Sequence, residues 1–344
     1  MDYFMITTDQ GLGKGGIQTW AYYMIQFLKH YNLSYNSYCI KEDGLSGILN
    51  VIKANLSSRV FILMDWQKII FVIIGLVLTC SGIAKSKYVI ILHGNEILNL
   101  NALKRNILRI VSRSRHVFFV ANSKSIGELY TSLYGRDVDY ICNPFIDTKI
   151  TEKNSNNKTN RNEKVLFSIT RLVKRKNISS VIIALKSILS IYPSMKYYIA
   201  GNGPELNNLK DLVKSLSMSD NVIFLGNISE DEKSHYYSIS DLFVLPSLFD
   251  HSDGSIEGFG IVFIEANMYG VPVISGNTGG MPEAVLDGIT GFCSEGSVED
   301  IKKKIERALK HNFNRNEIVK HAAKFDYKNQ ILFAEFLKSK SVLL

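Results

Sequence analysis

The stretch EGFGIVFIEANMYGVPVISG, residues 257–276, passes from a glycine-rich turn through an apolar run of helical length into a β-branched run closed by glycine. That loop–helix–strand step is one repeat of a parallel α/β fold. On one continuous helix, Glu257 and Glu265 would lie about 80° apart in projection and about 12 Å apart along the axis, a poor geometry for a carboxylate pair. The Gly258-Phe259-Gly260 break instead puts Glu257 in a loop, with a helix starting near Gly260 or Ile261 and Glu265 inside it. A helix start leaves backbone N–H groups free and carries the positive dipole end, which suits a phosphate-bearing ligand. Carboxylates beside it are good acceptors for paired sugar hydroxyls. The same spacing also fits a plain glycine turn before a helix whose glutamate is only solvated.

Outward from this stretch the same alternation covers the chain. Strand-like runs fall at 3–7, 35–40, 59–64, 88–93, 116–121 and 138–143, with helical lengths at 16–32, 66–84 and 100–115. A polar, Asn-rich segment, TEKNSNNKTNRNEK (151–164), then lacks apolar periodicity and reads as a linker. The pattern restarts with strands at 165–170, 196–201, 221–226, 242–247 and 271–276, and helices near 177–191, 204–217, 230–240, 261–269 and 298–310. Residues 325–341 carry apolar side chains at helical spacing and form a terminal docking helix. At 344 residues the chain suits two Rossmann-like domains, each large enough for its own core.

Composition narrows the setting. The four cysteines, Cys39, Cys80, Cys142 and Cys293, form no C-x-x-C pair, so neither a disulfide framework nor a zinc site is expected, and a cytoplasmic location is. MDYFMITTDQ has no basic start or long apolar core of a signal peptide. Ile69–Ala84 is uncharged over 16 residues, just short of the roughly 17–25 a membrane span needs, and its place between strands reads as a buried crossover helix. Residues 1–150 hold 16 Lys+Arg against 10 Asp+Glu, which points to an anionic partner. Five of those cations, Lys104, Arg105, Arg109, Arg113 and Arg115, fall in LKRNILRIVSRSR (103–115) with no acid among them. Arg105, Arg109 and Arg113 make one helical stripe beside Ile107, Leu108, Ile110 and Val111, the pattern of a helix lying on anionic lipid or of a solvated face.

Several further motifs carry chemistry. Gly11-x-Gly13-x-x-Gly16 reads as a close-approach loop at a helix start, matching the dinucleotide-binding pattern. His93 ends a strand, where side chains of parallel sheets reach the ligand crevice; Glu96 follows, suited equally to an acceptor or to capping. TRLVKRKN (170–177) offers Arg171, Lys174, Arg175 and Lys176, and charge alone does not choose among them. Fixed cations aimed at a departing diphosphate stabilise the charge that gathers there. Asp137-Val138-Asp139 is formally a D-x-D, but it lies at a strand entry and reads as structural. No G-x-x-x-x-G-K-[ST] or H-E-x-x-H is present.

Taken in order, these motifs resemble one family. The early glycine loop, His93-Gly94, Ala121-Asn122-Ser123, Asn143-Pro144-Phe145-Ile146-Asp147, R-L-V-x-x-K, Gly201-Asn202-Gly203-Pro204 and the E-x7-E are followed by Gly279-Gly280 and Pro282-Glu283. The set is similar to family 4 retaining glycosyltransferases of the GT-B fold, of the bacterial polysaccharide-assembly type. Asn143-Pro144 departs from the Asn-Gly common there. The resemblance implies an α/β fold of two Rossmann-like domains with parallel sheets facing across a cleft. Residues 1–155 would bind the acceptor, 156–325 the nucleotide-sugar, and 326–344 a helix docking back toward the first domain. His93 and Glu257 would act on the donor sugar, and Glu265 on the ribose. Gly15, Gly16, Arg171, Lys176, Phe259, Gly260 and Ile261 would contact the diphosphate or sugar. No metal or other cofactor is implied, since Arg and Lys supply the positive charge.

The expected activity is transfer of a hexose from a UDP- or GDP-linked donor, with retention, to a glycan or polyprenyl-diphosphate-linked acceptor. The expected pathway is capsule, lipopolysaccharide O-antigen or exopolysaccharide synthesis. The expected place is the inner face of the cell membrane, peripherally bound to anionic lipid, with no nucleic-acid partner. Three other readings use the same residues: a nucleotide-sugar epimerase, an NAD-dependent oxidoreductase and a noncatalytic sugar-binding protein. The oxidoreductase reading needs an acid about 20 residues after the glycine loop; Glu42-Asp43 come late for it.

Overall fold

The computed structural model describes residues 2–7, 9, 11, 15–39, 54, 59–64, 73, 77, 86–98, 100–148, 163–250 and 254–341. Gly13, Glu42, Asp43, Cys80, nearly all of the 66–84 segment and most of the 151–164 linker lie outside them. The chain divides into two compact units, Met1–Ile146 with Phe325–Leu344, and Asp147–Lys324.

Unit 1 begins with β1 (Tyr3–Thr7), α1 (Gly16–His30), β2 (Tyr35–Cys39), β3 (Val60–Leu63) and β4 (Lys87–Leu92). It continues with a short α2 (Asn95–Leu98), α3 (Ala102–Ser112), β5 (Val117–Ala121), α4 (Lys124–Tyr134) and β6 (Tyr140–Ile141). The six described strands are ordered β2-β1-β3-β4-β5-β6 and pair in parallel. Tyr3–Thr7 and Val60–Leu63 are buried at every position, the continuous apolar reading of parallel strands covered on both faces. The expected strand 138–143 shrinks to two residues because it is an edge that pairs only at Val120–Tyr140 and Ala121–Ile141. Helix α4 was not anticipated, although Ser123 caps its start through the Ile126 N–H and Gly135 ends it at φ 67°.

The last helix of unit 1 comes from the far end of the chain. Ile331–Ser341 packs Phe333 against Phe27 and Phe145, with Ala334 and Leu337 in the same core. Burying Phe333 and Leu337 contributes roughly 1.5–3 kcal/mol each, enough to hold a short helix that would not persist alone in water.

Unit 2 runs β7 (Val165–Ile169), α5 (Ile178–Ile188), β8 (Lys196–Ala200), α6 (Leu206–Ser215), β9 (Val222–Gly226), α7 (Glu230–Ile239) and β10 (Leu242–Leu245). Then follow α8 (Ile261–Met268), β11 (Val273–Gly276), α9 (Met281–Ala284), β12 (Gly291–Ser294), α10 (Val298–Lys310) and α11 (Arg315–Ala322). Its sheet order is β12-β11-β10-β7-β8-β9, again parallel. The chain leaves β7 toward β8 and β9, then returns to β10 on the other side. The order therefore reverses between β7 and β10, and ligand crevices of open α/β sheets lie beyond the carboxyl ends of strands at such a point.

Candidate functional site

Two loops leave the sheet of unit 2 at that reversal. The first, after β7, turns through a single 3-10 turn at Lys174–Lys176 and passes Asn177 at φ 58° into α5. The second, after β10, carries Glu257 and ends at Gly260, φ 87°, where α8 begins. They are tied together by Leu248 N–H donating to the Arg175 carbonyl at 2.7 Å.

This tie brings two cations onto one carboxylate. Lys176 Nζ lies 2.5 Å and Arg175 Nη1 3.2 Å from the same Glu257 Oε2. The Lys176 and Glu257 side chains are 10% and 20% exposed, so the pair is largely withdrawn from water but reachable. Burial alone would raise the Glu257 pKa; Lys176 and Arg175 outweigh it and hold the carboxyl below the usual carboxylate range. Burial lowers the pKa of Lys176, opposed by Glu257 and reinforced by Arg175.

Glycines explain why neighbouring motifs are needed. A Cβ on Gly279 (φ 61°) would sit 2.2 Å from the Glu257 carbonyl oxygen, the atom that accepts from Gly280 N–H at 3.1 Å. Gly279-Gly280 thus clamps the Glu257 loop by close backbone approach. Gly201 and Gly203 do the same for the cationic loop, since a Cβ at either would meet the Thr170 or Leu172 carbonyl at 1.9 or 2.2 Å. Phe259 and Ile261 are buried around the helix start. Helix α8 has no side-chain cap.

Glu265 lies inside α8, facing α7. Lys233 and Tyr237, one turn apart on α7, reach its two oxygens at 3.2 Å (Oε1) and 3.1 Å (Oε2). Lys233 also pairs with Glu230 at 2.7 Å. Burial would lower the Lys233 pKa, but Glu265 and Glu230 outweigh it and raise it. The Tyr237 hydroxyl is pushed well up by burial and then by Glu265, so it remains a donor. Glu265 is a carboxylate held in one orientation from one side.

The structure therefore groups Lys176, Glu257, Phe259, Gly260 and Ile261, and places Glu265 in the helix that follows. Arg171 is exposed at the start of the cationic loop, and the guanidinium that meets Glu257 is Arg175. Sequence reading named Arg175 as one of four cations without choosing it, and missed Lys233 and Tyr237. The i, i+4 spacing of Lys233 and Tyr237 was visible, but nothing in it pointed to Glu265.

In unit 1, His93 follows β4 and is buried. Its Nε2 is 2.7 Å from the Met64 carbonyl oxygen, and its ring meets Trp20 edge-on at 5.3 Å. A carbonyl only accepts, so Nε2 is the nitrogen that donates to it. Glu96 Oε1 accepts from the His93 and Gly94 backbone N–H groups, as a residue capping the start of α2 does. Gly15 (φ 137°) precedes α1, whose first turn has no acid and no side-chain cap, and Gly16 is open on its Cβ side. Asp139 accepts from the Arg136 guanidinium (3.0 Å) and Phe119 N–H (2.8 Å), and Asp137 from the Thr131 hydroxyl. Both carboxylates of the D-x-D are thus engaged in holding the fold. Among the described residues, no helix is long and apolar enough to cross a membrane.

Two Rossmann-like units, the second with a carboxylate–cation cluster at its sheet reversal, are the architecture of GT-B glycosyltransferases. HepE of Anabaena, solved with UDP-glucose, matches 98% of this chain and 100% of its own at TM-score 0.74 and 19% identity, a likeness of fold. The model of the family "Glycosyl transferases group 1" matches residues 149–325, just over half of the chain, and the protein belongs to that family. A GDP-mannose-dependent alpha-(1-6)-phosphatidylinositol monomannoside mannosyltransferase of Mycobacterium tuberculosis is 36% identical over 142 residues, 41% of this chain and 37% of that protein. N-acetyl-alpha-D-glucosaminyl L-malate synthase of Bacillus anthracis is 29% identical over 247 residues, 67% of this chain and 62% of that one. The chain thus spans from about 37% to 62% of the length of these curated relatives.

Proposed function

We propose that the protein is a retaining, metal-independent glycosyltransferase. It moves a hexose from a UDP- or GDP-linked donor to a glycan or polyprenyl-diphosphate-linked acceptor in surface-polysaccharide synthesis. The observation that carries the reading is the Glu257–Lys176–Arg175 cluster at the β7/β10 reversal, beside the uncapped start of α8. GDP-mannose and UDP-glucose in the names of a relative and a fold neighbour support a nucleotide-sugar as the ligand class.

Unit 2 binds the donor. Arg175 and Lys176 face the diphosphate and stabilise the charge gathering on the leaving group as the glycosidic bond breaks. Glu257 accepts from sugar hydroxyls, and Glu265 from the ribose hydroxyls, in the orientation fixed by Lys233 and Tyr237. Unit 1 binds the acceptor, with His93 Nδ1 accepting from a sugar hydroxyl near the reacting carbon and Gly15-Gly16 allowing close approach of the donor. The departing phosphate takes up the acceptor proton.

Unit 1 also attaches the protein to the inner face of the cell membrane. Of the apolar residues beside the basic stripe, Leu108 and Val111 are buried in the protein, whereas Leu103 and Ile110 of α3 are 69% and 70% exposed. That gives α3 an apolar outer edge beside its cations.

A panel of UDP-, GDP- and dTDP-hexoses, tested with EDTA for thermal stabilisation and slow hydrolysis, checks the donor claim. One or two donors should raise the melting temperature and release nucleoside diphosphate. A response to NAD(P) with none to any nucleotide-sugar would overturn it.

A further inference from the structure

One cavity of about 500 Å3 in unit 1 is lined by none of the residues assigned above to the donor. Arg109, Ser112 and Arg113 line it from the end of α3, and Tyr134, Gly135 and Arg136 from the end of α4. Three arginines thus line one concavity, and no Asp or Glu occurs between Glu96 and Glu128.

The three differ in how they are held. Arg136 is locked in place: Nη1 donates to the Ser112 carbonyl, and Nη2 to the Val117 carbonyl (3.2 Å) and to Asp139 (3.0 Å). Its charge is therefore offset by a carboxylate, and its main role is to fix the wall. Arg109 and Arg113 have no carboxylate partner among the described residues. Tyr134 donates its hydroxyl to the Ile97 carbonyl at 3.3 Å. Burial raises its pKa, and the nearby Arg105 and Arg109 pull the other way. Arg109 and Tyr134 share the cavity wall. Leu103 and Ile110, one heptad apart, project from the neighbouring outer edge of α3 into solvent.

We propose that this cavity binds the phosphate of an anionic membrane-lipid headgroup, with Arg109 and Arg113 as the two phosphate-binding forks. The proposal rests on the membrane attachment read above for unit 1 and is independent of the transfer chemistry. Planar guanidiniums match phosphate oxygens two at a time, which an ammonium does not. Leu103 and Ile110 choose the source, since a free phosphate has no use for two exposed aliphatic side chains on the helix that carries both arginines. A competing role for Arg109 is to offset the carbonyl end of the α3 dipole, and a lysine would serve that equally well.

The test uses this last difference. Sedimentation with phosphatidylglycerol/phosphatidylcholine vesicles compares the parent, the charge-preserving Arg109→Lys/Arg113→Lys variant, and Lys104→Ser/Arg115→Ser, which removes two cations outside the cavity. The lysine variant should bind about three- to tenfold more weakly at unchanged net charge and unchanged melting temperature, as expected when bidentate contacts become single ones. Lys104→Ser/Arg115→Ser should lose roughly thirtyfold at low salt through net charge alone, at about fivefold per cation, and raised salt should close that gap faster than the lysine variant's. Equal binding by parent and lysine variant would overturn the cavity as a site while leaving membrane attachment intact. A parent that ignores the vesicles would sink the attachment itself. If inorganic phosphate, against chloride of matched ionic strength, stabilises the parent but not the lysine variant while vesicles do not bind, the ligand is free phosphate and the lipid assignment is wrong.

Discussion

Replacing Lys176 with methionine keeps the length and much of the apolar stem but deletes the charge 2.5 Å from Glu257. Removing one partner of a buried pair typically costs 3–5 kcal/mol because the other charge is orphaned. Glu257 is not orphaned here, since Arg175 holds the same oxygen at 3.2 Å. The stability loss should therefore be smaller, about 1–2 kcal/mol, or roughly 2–8 °C at about 2–4 °C per kcal/mol for a domain of this size. The effect on the reaction should be larger. A fixed donor aimed at developing charge in a water-poor site is worth roughly 2.7–4 kcal/mol, which is about 10²–10³ in rate. Arg171 is exposed, so Arg171→Met should change the rate only a few-fold, within the ~1 kcal/mol typical of solvated charge interactions. The assay is nucleoside-diphosphate release at saturating and limiting donor, with thermal melts alongside. Lys176→Met within threefold of the parent, or Arg171→Met slower than Lys176→Met, would refute the assignment of the charge to the buried end of the loop.

Three further outcomes follow from the same geometry. Gly279→Ala puts a methyl 2.2 Å from the Glu257 carbonyl at φ 61°, and should lower stability by roughly 2–4 kcal/mol and raise the donor KM. Gly288→Ala (φ 72°), with nothing within 4 Å, should cost about 1 kcal/mol and leave KM alone, as paired melts and kinetics would show. The Glu257 pKa is lower folded than unfolded, so its stabilisation is complete above the unfolded value, about 4.3, and fades as pH falls through the folded one. The stability gap between parent and Glu257→Gln should accordingly be constant from about pH 7 to 5 and narrow toward pH 3 in acid melts. Tyr237→Phe loses the 3.1 Å bond to Glu265 Oε2, about 1 kcal/mol, while Lys233 still holds Oε1. Initial-rate kinetics should give a several-fold higher donor KM at an unchanged kcat, the mark of uniform binding lost.

The parallel sheets were legible because strands such as β1 and β3 are buried at every position and are separated by helix-length segments, a pattern local to each repeat. The placement of Glu257 outside α8 and Glu265 inside it was legible for the same reason, since the break at Gly260 is a backbone property that glycine announces. The choice among Arg171, Lys174, Arg175 and Lys176 was not. It depends on a single 3-10 turn and on Leu248 N–H reaching the Arg175 carbonyl, a contact 73 residues away in sequence that no local pattern encodes. The Lys233–Glu265–Tyr237 network is likewise tertiary, formed where α7 meets α8. Strand β12 was passed over because Gly291–Ser294 is four residues long and its pairing with β11 supplies what its composition lacks. The basic stripe of α3 was seen, but its apolar companions were misjudged. Leu108 and Val111 turn inward to the core, so only the packed structure distinguishes them from exposed Leu103 and Ile110.

The central claim is that the β7/β10 reversal of unit 2 is a nucleotide-sugar site, and a crystal structure with bound UDP or GDP tests it most directly. The diphosphate should lie within hydrogen-bond reach of Arg175 and Lys176, with the ribose hydroxyls on Glu265. A nucleotide found elsewhere, with the Glu257–Lys176–Arg175 cluster untouched, would contradict the account.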